Sequence, residues 1–158
     1  MTARSQTFLV ALAVTIYCAW SAHDLVGSWS HTPFNRLGWL AFLIWLLPLL
    51  REAGRRNIEP LPALLWIALA CSLIGTIGEQ NFICYFGFSL ALAALPHWPF
   101  LSRLLWLAAS VSWMTIFGYA MQRASVSGGT VMMLRLLAAA GAVSLILFLT
   151  RRKLPAQT

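Results

Sequence analysis

Charge is scarce in this chain, and acidic charge scarcer still. Of 158 residues 9% are charged, and only four (Asp24, Glu52, Glu59, Glu79) are acidic against eleven basic. With 60% hydrophobic residues, this is too little polarity to solvate a soluble domain of such size. The net charge of +7 does not point to nucleic acid, because the basic residues stand at the ends of apolar runs, where they face anionic headgroups. Histidine is sparse as well. His23, His31 and His97 fall in loops or at boundaries rather than inside an apolar run, which argues against a bis-histidine haem. His23, Asp24 and His31 read as solvated loop residues, and no metal is expected. The three cysteines, Cys18, Cys71 and Cys84, have no metal-binding or redox spacing and read as small apolar filler. No phosphate loop, dinucleotide fingerprint or metalloprotease helix motif occurs.

What is present is a set of six apolar runs, at about 7–22, 37–50, 61–78, 82–95, 104–121 and 130–149. Each approaches the roughly 20 residues that cross a bilayer, with tilt or thinning covering the shortfall. The reading is all-α: one transmembrane domain over 1–158, a bundle of about six helices. Eight basic residues (Arg4, Arg51, Arg55, Arg56, Arg103, Arg151, Arg152, Lys153) then share one side, while Arg36 and Arg123 take the other and Arg135 lies within a run. The positive-inside rule makes the crowded side cytoplasmic, with both termini there, in a bacterial inner membrane. Arg4, the run behind it and small residues Ala19 and Ser21 imitate a signal peptide, but the segment is expected to be retained as the first span. Pro60 and Pro62 open the third run, and Pro96 and Pro99 close the fourth. Pro48 is expected to bend the second, and Ser127, Gly128 and Gly129 to form a hinge before the sixth.

Tryptophan is abundant, with eight residues. Trp20, Trp29 and Trp39 are expected near the outer boundary and Trp66, Trp98 and Trp106 near the inner one, with Trp45 and Trp113 deeper, between helices. A bound lipid tail or pigment is a further use for so many indoles. Small residues that let helices approach closely lie at Ala68, Ser72 and Gly75, at Gly87 and Ala91, and at Ala138, Gly141 and Ala142.

Polar groups gather at the outer side: His23, Asp24, Ser28, Ser30, His31, Asn35 and Arg36 in the first loop, then Glu79, Gln80 and Asn81, then Arg123. Arg135, about 9 Å along the sixth helix, is costly in hydrocarbon and is expected to face the interior. Glu79 is the acidic residue at its depth, so a structural Glu79–Arg135 ion pair is expected. Cys84 enters from the same side, and with His31 or His23 and Arg135 it forms a candidate nucleophile, base and oxyanion stabiliser.

The order of Trp20, the Ser30-His31 pair, the run ending near Leu50, the basic loop Arg51 to Arg56, and Pro60 resembles the amino-terminal half of exosortases and archaeosortases. Ala70, Cys71 and Ser72 match three letters of that family's nucleophile motif, with Leu73 in place of its glycine. The resemblance implies a polytopic helical scaffold and a cysteine protease or transpeptidase acting outside the membrane. The residues themselves favour an accessory or structural subunit of a larger membrane complex, with other membrane subunits as partners. The exosortase-like enzyme is the alternative, and a small transporter is third.

Overall fold

In the computed structural model the described residues are 3–31, 33–54 and 58–151, with side chains described from Gln6 to Thr150 within those ranges. Arg55, Arg56, Arg152 and Lys153, and the side chains of Arg4 and Arg151, lie outside the described residues, so part of the expected charge asymmetry does too. The chain is helical, with α1 (Ala3–Ser21), α2 (Asp24–His31), a 3-10 turn (Pro33–Asn35), α3 (Gly38–Gly54), α4 (Pro62–Ile77), α5 (Asn81–Ala94), α6 (Phe100–Ser110), α7 (Thr115–Arg123) and α8 (Gly128–Arg151). Among the described residues three stretches are long and apolar enough to cross a membrane: Gln6–His31, Pro33–Gly54 and Gly128–Thr150. A fourth is added if α6 and α7, bent by 61°, count as one broken span. The expected third and fourth runs are shorter apolar helices, α4 and α5.

The fifth run is where the helix pattern departs most from expectation. Instead of one rod it bends between Ser110 and Thr115, and the local chemistry explains why. Ser110 and Ser112 donate their hydroxyls to the carbonyls of Leu107 and Ala109, three residues back, at 2.6 and 2.7 Å. The amides of Val111, Ser112, Trp113 and Met114 likewise bond three residues back. That is 3-10 winding, which strains the ladder and marks a break. Met114 then turns extended, with ψ 154°, before α7 begins.

One smaller expectation is also corrected. The Ser127-Gly-Gly segment is no hinge but a helix start: the Ser127 hydroxyl lies 2.8 Å from Thr130 Oγ1 and accepts the Thr130 amide at 3.3 Å, the geometry of an N-cap, and both glycines lie in α8. Pro48 lies inside α3, which continues beyond it to Gly54.

The chain divides into two compact units, Met1–Ser28 with Glu52–His97, and Trp29–Arg51 with Trp98–Thr158. In the first, α4 and α5 form a hairpin whose small residues interlock. Ala68, Ser72, Gly75, Gly87 and Ala91 are all buried. A Cβ on Gly87 would overlap the Ser72 hydroxyl, and one on Gly75 would fall 2.6 Å from Cys84 Sγ and 2.8 Å from the Cys84 amide. Such approach gives the van der Waals contact that holds helices together in lipid. The open end of the hairpin is clasped: Glu59 and Leu61 amides donate to the carbonyls of Leu95 and Ala94, and His97 Nδ1 lies 2.7 Å from Glu59 Oε2. α1 adds Ala11, Val14 and Cys18, a buried face at the three- and four-residue spacing of one helix side, and Ala22 just past its end is buried too. Asn81 at the start of α5 donates to Asp24 just past the end of α1, at 3.3 Å, so α1 runs parallel to α4.

In the second unit, indoles form the core. Trp45 of α3 and Trp106 of α6 stack with centroids 4.0 Å apart and planes 4° from parallel, and each indole N–H donates to the other's backbone carbonyl at 2.7 Å. Trp98 packs edge-on against Trp106, and Trp113 against Trp45 and Phe42. Trp29 donates to the Trp113 carbonyl at 2.9 Å. Trp98 and Trp106, expected as boundary anchors, are therefore buried core residues, whereas Trp20, Trp39 and Trp66 are exposed. The inward stripe of α8 is Val131, Arg135, Ala139, Val143 and Ile146. Because Arg135 turns inward, Gly141 is carried about 120° round the helix from it. Ala138 and Gly141 are thus exposed, and a Cβ on Gly141 would meet nothing within 4 Å.

Candidate functional site

Arg135 is the most demanding group in the protein, a guanidinium with no exposure at all. Its Nη1 donates to the Met114 carbonyl at 3.4 Å, and Nη2 donates to the Phe34 carbonyl at 3.2 Å and to Asn35 Oδ1 at 3.3 Å. The group also lies 5.3 Å from the Phe117 ring centroid, within cation–π range. Its Nε has no hydrogen-bond partner among the described residues.

Each acceptor exists because a helix is interrupted. Met114, the N-cap of α7, has a carbonyl that also accepts the Phe117 amide at 3.3 Å, and the 3-10 turn offers the Phe34 carbonyl and the Asn35 side-chain oxygen. Gly118 lets α7 come close enough: a Cβ there would overlap Asn35 Oδ1 and fall 2.9 Å from the Phe34 oxygen. A fixed positive charge is thus held by neutral oxygens, where unsatisfied carbonyls in an apolar surrounding would each be costly. Chemically this is a clamp on two carbonyls at helix ends and one side-chain amide. Glu79, the partner expected from sequence, belongs to the first unit and is not one of these acceptors.

Glu79 has its own local role. It adopts φ 53° just after α4, where the Gln80 amide donates to the Gly75 carbonyl at 2.8 Å and the Glu79 amide to that of Thr76 at 3.4 Å. These are the two bonds of a Schellman C-cap, whose left-handed position usually holds glycine. Gly78 precedes that position by one residue and has φ −85°.

Cys84 is 2% exposed. Its sulfur lies 3.9 Å from Thr76 Oγ1 and 3.9 Å from the Ser72 carbonyl, groups that do not activate a thiol. Cys18 is also buried and Cys71 partly so, and all three cysteines are free thiols. The expected companions of Cys84, His31 and Arg135, belong to the second unit. His31 is exposed, with Nδ1 3.5 Å from Ser30 Oγ. His23 Nε2 lies 3.0 Å from Asp24 Oδ1 while its ring stacks on Trp20 at 6.3 Å, so His23, Asp24 and Asn81 make a continuous polar chain in the first unit. Arg36 is exposed, and Arg123 lies over the Tyr119 ring at 5.1 Å.

Sequence reasoning found Arg135 and grouped Asn35 with the polar loop, but missed Phe34, Met114, Phe117 and Gly118. Their oxygens are backbone atoms or lie a hundred residues away, and the only sequence signal was the Ser-Val-Ser-Trp interruption at 110–113. No family model matches the chain, and neither a curated protein nor a solved structure matches it.

Proposed function

We propose that this protein is an accessory or structural subunit of a larger complex in a bacterial inner membrane, with six membrane passages, the fifth broken, and both termini in the cytoplasm. The observation that carries the reading is the outward face of α8: Ala138 and Gly141 are exposed on a helix long and apolar enough to cross a membrane. In lipid, small residues promote close helix association, and among the described residues nothing lies within 4 Å of a Cβ placed on Gly141. The polar groups inside the units favour the same reading. Arg135 is engaged by backbone, Cys84 is enclosed by the α4–α5 crossing, and five of the eight tryptophans pack on one another or on backbone, which removes the need for a pigment to explain them.

Cross-linking in the native membrane tests this. A photoreactive probe attached at Gly141→Cys is expected to capture one discrete polypeptide other than this chain, while a probe at Leu137→Cys, on the same outward side but bulky, captures less. Capture of lipid alone from both positions counts against a subunit role. External thiol labelling of Cys84 that depends on His31 would instead favour the exosortase-like cysteine enzyme.

A further inference from the structure

The three helices of the first unit share one apolar length, and it is short. At about 1.5 Å per residue, residues 8–21 of α1 cover about 21 Å, the 16 residues of α4 about 24 Å and the 14 of α5 about 21 Å. The hydrocarbon core is roughly 30 Å thick, a distance that the 24 residues of α8 exceed at about 36 Å. Hydroxyls within the short lengths add no polar surface of their own, because Thr15, Ser21, Thr76 and Ser89 bond back to carbonyls of their own helices.

Fixed polar groups close the apolar length at both ends. At one end Glu59 and His97 are exposed side chains 2.7 Å apart, and the Glu59 and Leu61 amides tie the start of α4 to the carbonyls of Leu95 and Ala94. At the other, Glu79, Gln80 and Asn81 are exposed, Asn81 donates to Asp24 at 3.3 Å, and Asp24 lies 3.0 Å from His23. These bonds hold α1, α4 and α5 in register, so no one helix can slide to lengthen the belt. Between the two ends the outward side is apolar, with Trp66, Ile67, Leu73, Ile74, Phe82 and Phe86 exposed. Tilting would reduce the vertical reach of such helices and widen the shortfall. Sinking the polar ends would place the exposed carboxylates of Asp24, Glu59 or Glu79 in hydrocarbon, where charge is expensive. Thinning of the bilayer carries only a modest cost per ångström.

From these lengths we infer that the first unit sits in a locally thinned bilayer, with headgroups drawn in to Glu59 and His97 on one face and to Asp24, Glu79 and Asn81 on the other. The lipid annulus on α4 and α5 is then about 6–9 Å thinner than the usual core. The inference rests on the membrane-embedded reading above and names the lipid environment that this surface fits.

Electron paramagnetic resonance of the full chain in vesicles of dioleoylphosphatidylcholine, compared with the shorter-chained dimyristoleoylphosphatidylcholine, tests it. In a Cys71→Ala background the remaining cysteines, Cys18 and Cys84, are buried. Nitroxides are then attached singly at Leu61→Cys, Ala70→Cys and Ile77→Cys, exposed positions at the start, middle and end of α4. A water-soluble nickel complex is expected to relax both end labels severalfold more than the Ala70→Cys label, which dissolved oxygen relaxes instead, and to do so equally in the two lipids. Nickel access at Ala70→Cys would put α4 outside the hydrocarbon and defeat the embedded reading itself. If Ala70→Cys stays in hydrocarbon but nickel access at Leu61→Cys or Ile77→Cys falls severalfold in the longer lipid, the embedded reading stands and the thinned annulus is overturned.

Discussion

Arg135 makes its demands on its neighbours through single atoms. Replacing it with Leu removes the donors from Phe34 O and Asn35 Oδ1 and one donor from Met114 O, which keeps the Phe117 amide, a loss of about 1–3 kcal/mol for each buried group left unsatisfied. Thermal unfolding in detergent is expected to show a lower midpoint for Arg135→Leu, with Arg135→Lys recovering only part, because an ammonium cannot reach three acceptors with the fork of a guanidinium. Gly118→Ala is expected to act in the same direction, since its methyl group would occupy the position of Asn35 Oδ1; overpacking costs about 1–3 kcal/mol. A midpoint unchanged in both variants contradicts the clamp. At this scale the sequence told half of the story. An arginine inside an apolar run must turn inward, which composition alone reveals. That two of its partners are backbone carbonyls, of Met114 and Phe34, is invisible to composition, because every residue has a carbonyl.

Elements end where local hydrogen bonding offers a better alternative, and the turn between α4 and α5 gives a sharp test. Glu79 pays the left-handed penalty at a C-cap, about 1–2 kcal/mol for a residue with a Cβ. Glu79→Gly is therefore expected to raise the unfolding midpoint, provided the carboxylate has no essential partner. A fall in the midpoint would mean that the carboxylate makes an important bond, and would revive the ion pair with Arg135. The hairpin itself is expected to be intolerant: Gly75→Ala places a methyl group against the Cys84 backbone, which cannot swing aside, so the folded yield should drop sharply. The small faces of α4 and α5 were legible because their spacing matches one helix side. The outward rotation of the α8 face was not, since the choice between two faces of an apolar helix depended on Arg135. Trp98 and Trp106 were misassigned for a related reason. Position along a run places an indole by depth, whereas Trp98 and Trp106 were drawn inward by stacking and by the reciprocal N–H bonds of the Trp45–Trp106 pair. That pair is expected to give a near-UV circular dichroism couplet that either Trp45→Phe or Trp106→Phe abolishes.

For the whole molecule, the scarcity of charge leaves little room for chemistry inside the helices and much apolar surface outside them. Three helical stretches suffice to cross a membrane by length and composition, and a broken pair is available as a fourth. The proposed six-pass topology would add α4 and α5, which are short, and orient the chain by its basic loops. The proposed role follows from which side of α8 remains open rather than from any motif. It is tested most directly by tagging the wild-type chain at its native level, extracting its own membranes in mild detergent, and measuring the mass and composition of the purified particle. The expected result is a particle containing at least one other membrane polypeptide at fixed stoichiometry; a monodisperse monomer carrying only lipid and detergent would contradict it.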